Sequence, residues 1–178
     1  FQGAKIMTTG EGGCVVTNDD FLWDRINFFN DNCEVKGRKF YHNGIGHCYD
    51  MSNICAAMGV AQLEKLDDLV ERKREIFAKY HEGLGDLFQM NQERWHTMSN
   101  FWMSSIVLPE DKDRSKLMRK LAESEIDTRP IFSPISYFNI WDVASSPVAE
   151  RIGRFGINLP SGTVLKNRDL EYIISILR

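Results

Sequence analysis

Apolar residues recur along this chain with a period that changes from segment to segment. Phe21, Leu22, Ile26 and Phe29 keep helical spacing over 21–29, and Asn18-Asp19-Asp20 ahead of them supplies N-cap side chains. Ser52 opens a longer pattern. Ile54, Met58, Ala61, Leu66, Leu69, Val70, Ile76, Phe77 and Tyr80 predict a single helix to about His81, stopped by Gly83 and Gly85. Its first half is small and apolar, whereas its second half carries Glu71-Arg72-Lys73-Arg74-Glu75. Burial on several sides therefore gives way to a solvated face. Ahead of these helices, an extended segment leads to a glycine turn at 10–13 and a short strand over 14–17. Residues 30–50 are irregular, with Phe40, Tyr41 and Tyr49 among Asn, Gly and basic residues. A loop of that length inside a compact domain usually carries function.

From about residue 86 the elements shorten. A strand is predicted over 101–108, closed by Pro109, then a helix over 114–125 with Leu117, Met118 and Leu121 inward. Extended chain follows over 126–131, a short helix over 147–155, a strand over 157–159 and a last helix over 169–177. That order describes an α+β lobe, a two- or three-stranded sheet with helices on one face. The chain thus reads as 1–85, ending in the long helix, and 86–178.

Composition narrows the function. The net charge of −3 gives no electrostatic case for nucleic acid or an anionic membrane. No apolar run approaches the ~20 residues of a spanning helix, and no basic-then-apolar leader opens the chain, so the cytoplasm is the expected location. Cys14, Cys33, Cys48 and Cys55 form no C-x-x-C pair, and His42, His47, His81 and His96 are scattered. Neither disulfide nor metal is expected.

The residue with chemistry is Lys5. It precedes Thr8-Thr9 and the turn Gly10-Glu11-Gly12-Gly13. Lysine forms Schiff bases, and partial desolvation favours its reactive neutral amine. Glycines let the backbone approach a flat ligand with a phosphate tail. A partly desolvated Lys5 beside such a ligand is the expectation.

Taken in order, several motifs are similar to those of the DegT/DnrJ/EryC1/StrS family of pyridoxal-phosphate sugar aminotransferases, over essentially all 178 residues. They are Phe1-Gln2-Gly3-Ala4-Lys5 with Thr8-Thr9-Gly10-Glu11-Gly12-Gly13, Met51-Ser52-Asn53-Ile54, Arg72-Lys73-Arg74, Thr128-Arg129-Pro130 with Pro134, and Gly156-Ile157-Asn158-Leu159-Pro160. Within the family the chain most resembles the GDP-perosamine synthases. The resemblance implies an α/β protein of fold type I, here the later part of the large cofactor domain followed by the small C-terminal α+β domain. It implies a homodimer with the active site between subunits. It further implies transfer of an amino group from L-glutamate to a nucleotide-linked 4-keto-6-deoxy sugar, with pyridoxal 5'-phosphate held covalently by Lys5. Arg129 would face the sugar nucleotide's diphosphate, and His42 and Phe132 would line the substrate site. The groups the family places before the lysine would precede Phe1, so the chain is expected to be part of one about twice as long.

One region departs from the pattern. Relatives read Gly-Tyr-Asn-Tyr-Arg-Met where this chain reads Gly46-His47-Cys48-Tyr49-Asp50-Met51. By resemblance Cys48 takes the place of the Asn that reaches the other subunit's cofactor phosphate, and thiol is a weak donor. Asp50 reverses a charge, and Ser136 stands where relatives often carry histidine. These departures motivate an alternative, a non-catalytic or altered-substrate nucleotide-sugar-binding member of the same fold.

Overall fold

The Asp19 side chain accepts a hydrogen bond from the Leu22 amide at 3.1 Å and starts α1 (Asp20–Asn30). The computed structural model describes residues 1–178, and the chain forms two compact units, 1–66 and 67–178. In the first, Ser52 caps α2 (Asn53–Leu63) by accepting from the Cys55 amide at 3.3 Å. The strand expected over 14–17 does not form, and Val15 and Val16 are 65% and 87% exposed. A strand needs a neighbour for its amides and carbonyls. Residues 1–66 supply only isolated bridges, Gln2 with Gly10 and Glu34 with His42.

The single helix expected from Ser52 to His81 is two helices, α2 and α3 (Leu66–Leu84). Glu64 ends α2, and the Lys65 amide donates back to the Gln62 carbonyl at 3.2 Å. The apolar stripe of α3, Ile76, Phe77, Tyr80 and Leu84, is buried in the second unit. The division by compactness at 66/67 therefore places α3 with the later elements. No helix is long and apolar enough to cross a membrane.

The second unit is built on four antiparallel strands in the order β1-β2-β4-β3: β1 (Gln89–Met90), β2 (Ser104–Val107), β3 (Arg129–Pro130) and β4 (Gly156–Leu159). Ser104 pairs with Leu159 and Val107 with Gly156, which centres Ile106 and Ile157. Both are fully buried, packed with α3, α4 (Arg114–Glu123) and α6 (Asn167–Leu177) through Leu121, Leu170 and Ile173. α5 (Pro147–Phe155) leads directly into β4. Phe101 was expected inside a strand, but its φ of 43° is left-handed, so β2 begins only at Ser104. The Phe101 ring instead stacks on Phe77 at 3.8 Å between centroids. β1 is a fourth strand too short to show alternation in sequence. Pro130 sits on the edge strand, where its missing amide costs no ladder bond.

Candidate active site

Lys5 stands on a turn that ties itself together. The Lys5 amide donates to the Gln2 carbonyl at 3.0 Å, the Gly3 amide to Gly10 at 3.1 Å and the Thr9 amide to Phe1 at 3.0 Å. The Thr8 hydroxyl donates to the Phe1 carbonyl at 3.0 Å and accepts from the Gly10 amide at 2.9 Å, while the Thr9 hydroxyl donates to the Glu11 carbonyl. Both hydroxyls are thus committed to turn geometry. Gly12, at φ +107°, allows the chain to reverse. Thr9 is 2% exposed, and an added Cβ at Gly59 of α2 would sit 3.1 Å from its Cγ2. Gly59 is there so that the helix can lie close on the turn, a role invisible to periodicity.

Lys5 itself is exposed, where partial desolvation was expected. The buried member of this turn is Thr9. A Cβ added at Gly10 or Gly13 would meet nothing within 4 Å, so the glycine face is open. A primary amine on a fixed turn, beside an unobstructed backbone, suits a flat aldehyde such as pyridoxal phosphate.

The loop after α1 is ordered by the helix's last residues. Asn32 and Cys33 take left-handed φ of 54° and 57°, and Cys33 is fully buried. The His47 amide donates to the Phe29 carbonyl at 2.8 Å, and the Asn32 amide to the His47 carbonyl at 3.2 Å. Asn30 then holds the next residues with its side chain, accepting from the Tyr49 amide at 3.0 Å and donating to the Asp50 carboxylate. The charge reversal at Asp50 therefore has a partner in its own unit. Cys48 is exposed, and the rings of its sequence neighbours His47 and Tyr49 stack on each other with centroids 4.7 Å apart. It shares with Gly12, Gly13, Cys14 and Met51 a cleft of about 1010 Å³. Neither Lys5 nor His42 lines that cleft, and His42 holds the loop through Nδ1, 2.9 Å from the Asn32 carbonyl oxygen.

Arg129 and Phe132 belong to the other unit. Arg129 lies opposite Asn158 in the edge strand, exposed and without an ion pair, and Phe132 is 70% exposed. Ser136 donates its hydroxyl to Glu150 at 2.9 Å. Asn30, Gly59 and Glu150 are the organising residues that sequence reading passed over. Only Asn30, a side-chain amide at a helix end, carried a local signal.

The sequence model of the DegT/DnrJ/EryC1/StrS aminotransferase family matches residues 1–178. This chain belongs to that family. It is 42% identical over 175 residues to a GDP-perosamine synthase of Escherichia coli O157:H7, covering 97% of this chain and 48% of that protein. A GDP-perosamine synthase of Vibrio cholerae is 33% identical over the whole chain and half of its own length. A Bacillus subtilis relative at 33% identity, covering 99% of this chain and 48% of its own, is named a putative pyridoxal phosphate-dependent aminotransferase. The chain spans about half the length of these relatives. Among solved structures, the aminotransferase TlmJ of Streptoalloteichus hindustanus superimposes with a TM-score of 0.88 at 24% identity, over 97% of this chain and 48% of its own. Helicobacter pylori PseC gives 0.87 at 23%, over 97% and 49%. The architecture of this DegT-family chain is accordingly that of the fold type I sugar aminotransferases. Pyridoxal phosphate is the family's cofactor.

Proposed function

We propose that this chain carries the cofactor lysine of a sugar aminotransferase. The reaction moves an amino group from L-glutamate to the ketone of a nucleotide-linked 4-keto-6-deoxy sugar, giving a 4-amino sugar nucleotide as the perosamine synthases do. The observation that carries this reading is Lys5, a primary amine on a rigid glycine turn in a chain matched from end to end by the family. Pyridoxal phosphate, when bound, supplies the electron sink. Lys5 would hold it in place, and its amine, when free, would move a proton at the amino donor's α-carbon. With the sugar bound, the same amine would move a proton at the ketone carbon that receives the nitrogen. The amides of the Gly10–Gly13 stretch and the fixed 47–50 segment orient the ligands. Arg129, with an unpaired guanidinium, is suited to a diphosphate, since its fork matches phosphate oxygens bidentately. His42 and Phe132 belong to the substrate side of this reading. The active form is a homodimer in which Cys48 of one subunit approaches the other's cofactor phosphate. It works in the cytoplasm, where the four free thiols stay reduced.

The test is reconstitution of the intact protein with pyridoxal phosphate. A visible absorbance band absent from Lys5→Ala is expected, followed by an amine product from glutamate and a GDP-linked 4-keto-6-deoxy sugar. Cys48 is the observation favouring the alternative, a non-catalytic or altered-substrate nucleotide-sugar-binding member of the same fold. Running the assay with dTDP- and UDP-linked sugars separates the two. A protein that stays colourless after incubation with the cofactor would overturn both enzymatic versions.

A further inference from the structure

Residues 136–146 form a loop closed by a single atom. Oε1 of Glu150, on α5, accepts from the Ser136 hydroxyl at 2.9 Å, the Ser145 hydroxyl at 2.9 Å and the Ser146 amide at 3.3 Å. Ser136 lies at the start of the segment, in the 3-10 turn Ile135–Tyr137, and Ser145-Ser146 lies at its end. The carboxylate therefore joins both ends of what is, in form, an Ω-loop. Ser146 provides no side-chain cap to α5, so Glu150 also satisfies the amide at the helix entrance.

The grip is aimed by packing one turn further along α5. A Cβ at Gly153 would stand 2.7 Å from Pro134 Cδ, so the helix rests directly on buried Pro134. Arg114 fixes the same point by donating to the Gly153 carbonyl at 2.6 Å. Glu150 is half-buried and forms no ion pair; its charge is met by hydroxyl and amide dipoles. The Ser136 and Ser145 hydroxyls hold its carboxyl below the usual carboxylate range. Three donors on one ionised oxygen make a stronger closure than neutral hydrogen bonds would.

What the closure presents is aromatic. Within the loop, Phe138 donates to the Ile135 carbonyl at 3.1 Å and Trp141 to the Phe138 carbonyl at 3.2 Å, so the tip is folded into successive turns. Yet Tyr137, Phe138 and Trp141 are 54%, 49% and 56% exposed. Rings held at low entropy cost on a locked loop are preorganised for stacking. The loop also follows directly on the segment that carries Arg129 and Phe132.

We propose that Glu150 is a positioning residue, and that the loop it closes binds the nucleotide-linked sugar by stacking its aromatic rings on the nucleotide base. This rests on the reading that the protein acts on a sugar nucleotide.

The experiment compares Glu150→Ala, Glu150→Gln and Trp141→Ala with the parent in the intact holoprotein. Glu150→Ala should raise KM for the sugar nucleotide by about tenfold or more, since a displaced positioning group costs that order, with a much smaller change in the glutamate half-reaction. Amide hydrogen exchange over 136–146 should speed up in the same variant. Glu150→Gln keeps the acceptor oxygen and should restore most of both. Trp141→Ala should raise the same KM while exchange at Ser146 stays slow. Faster exchange with an unchanged sugar-nucleotide KM would overturn the proposal, as would equal losses in both half-reactions. If the protein transaminates nothing, binding of GDP, dTDP and UDP is read directly by tryptophan fluorescence. Weaker binding by Glu150→Ala then supports the loop's role although the transamination reading has failed, and equal binding overturns it.

Discussion

Arg74 and Glu93 face each other through two parallel hydrogen bonds, Nη1 to Oε1 at 3.0 Å and Nη2 to Oε2 at 2.8 Å. The pair joins α3 to the segment leading into β2, and each partner also holds Ser99, Arg74 through its carbonyl and Glu93 through its amide. The Arg74 guanidinium, with the Ser99 amide, holds the Glu93 carboxyl down to about 2 from 4.5. A depressed carboxyl contributes stability that is present above the unfolded value and lost as pH falls toward the folded one. The contribution should therefore fade between about 4.5 and about 2. Thermal melts across that window should show Glu93→Gln less stable than the parent at the upper end and equal to it at the lower. Parallel melting curves at every pH would refute the assignment.

Lys73 is a buried cation that spans two connections. Its Nζ donates to the carbonyls of Trp102 and Ser161, both at 2.6 Å, and burial lowers its pKa. Lys73→Met keeps the stem and removes the ammonium from both half-buried carbonyls, leaving the Trp102 carbonyl with the Ser161 hydroxyl at 3.4 Å. Hydrogen bonds from charged groups are worth about 1.5–3 kcal/mol, so urea unfolding should move by that order. An unchanged midpoint would mean that water replaces the ammonium.

Gly46 lets two stretches of backbone touch. A Cβ there would collide with the Asn32 carbonyl carbon and lie 2.5 Å from the Cys33 nitrogen. Gly46→Ala should destabilise the 31–50 loop by about 1–3 kcal/mol through overpacking. Thiol labelling reads the loop directly, because Cys33 is fully buried while Cys14 and Cys48 are exposed. Cys33 should label slowly in the parent and quickly in Gly46→Ala; equally slow labelling would show that the loop adapts.

Lys5 is exposed, so its replacement separates chemistry from folding. Lys5→Ala should change stability by no more than about 0.5 kcal/mol, as surface substitutions do. On the proposed reading, transaminase activity of the intact holoprotein should fall in this variant by at least ~10²–10⁴-fold, the scale of a lost acid–base group. A variant that unfolds, or one that keeps the activity, contradicts the assignment.

The helices of this protein are legible because their signals are local. Asp19 and Ser52 announce α1 and α2, and the spacing of Leu117 and Leu121 announces α4. The turn that follows Lys5 was legible for the same reason, since Gly10, Gly12 and Gly13 mark it in the sequence. The strand expected at 14–17 failed because alternation records what a segment could do, not whether a neighbour exists to pair with it. The break between α2 and α3 was hidden for a related reason. Helical spacing runs straight through Glu64-Lys65, and only the separate surroundings of Gly59 and Tyr80 show two helices.

By itself, then, the sequence determined most helices, the apolar stripe that α3 buries and the lysine that carries the proposed chemistry. Tertiary structure alone decided the sheet order β1-β2-β4-β3, the close seat of Gly59 on Thr9, the Asn30–Asp50 pairing and the convergence of three donors on Glu150. Spacing within one helix is set by backbone geometry over a few residues. Pairing of Ser104 with Leu159 and bonding of Ser136 to Glu150 depend on where distant stretches of chain come to rest. That placement is settled only when the core around Ile106 and Ile157 closes.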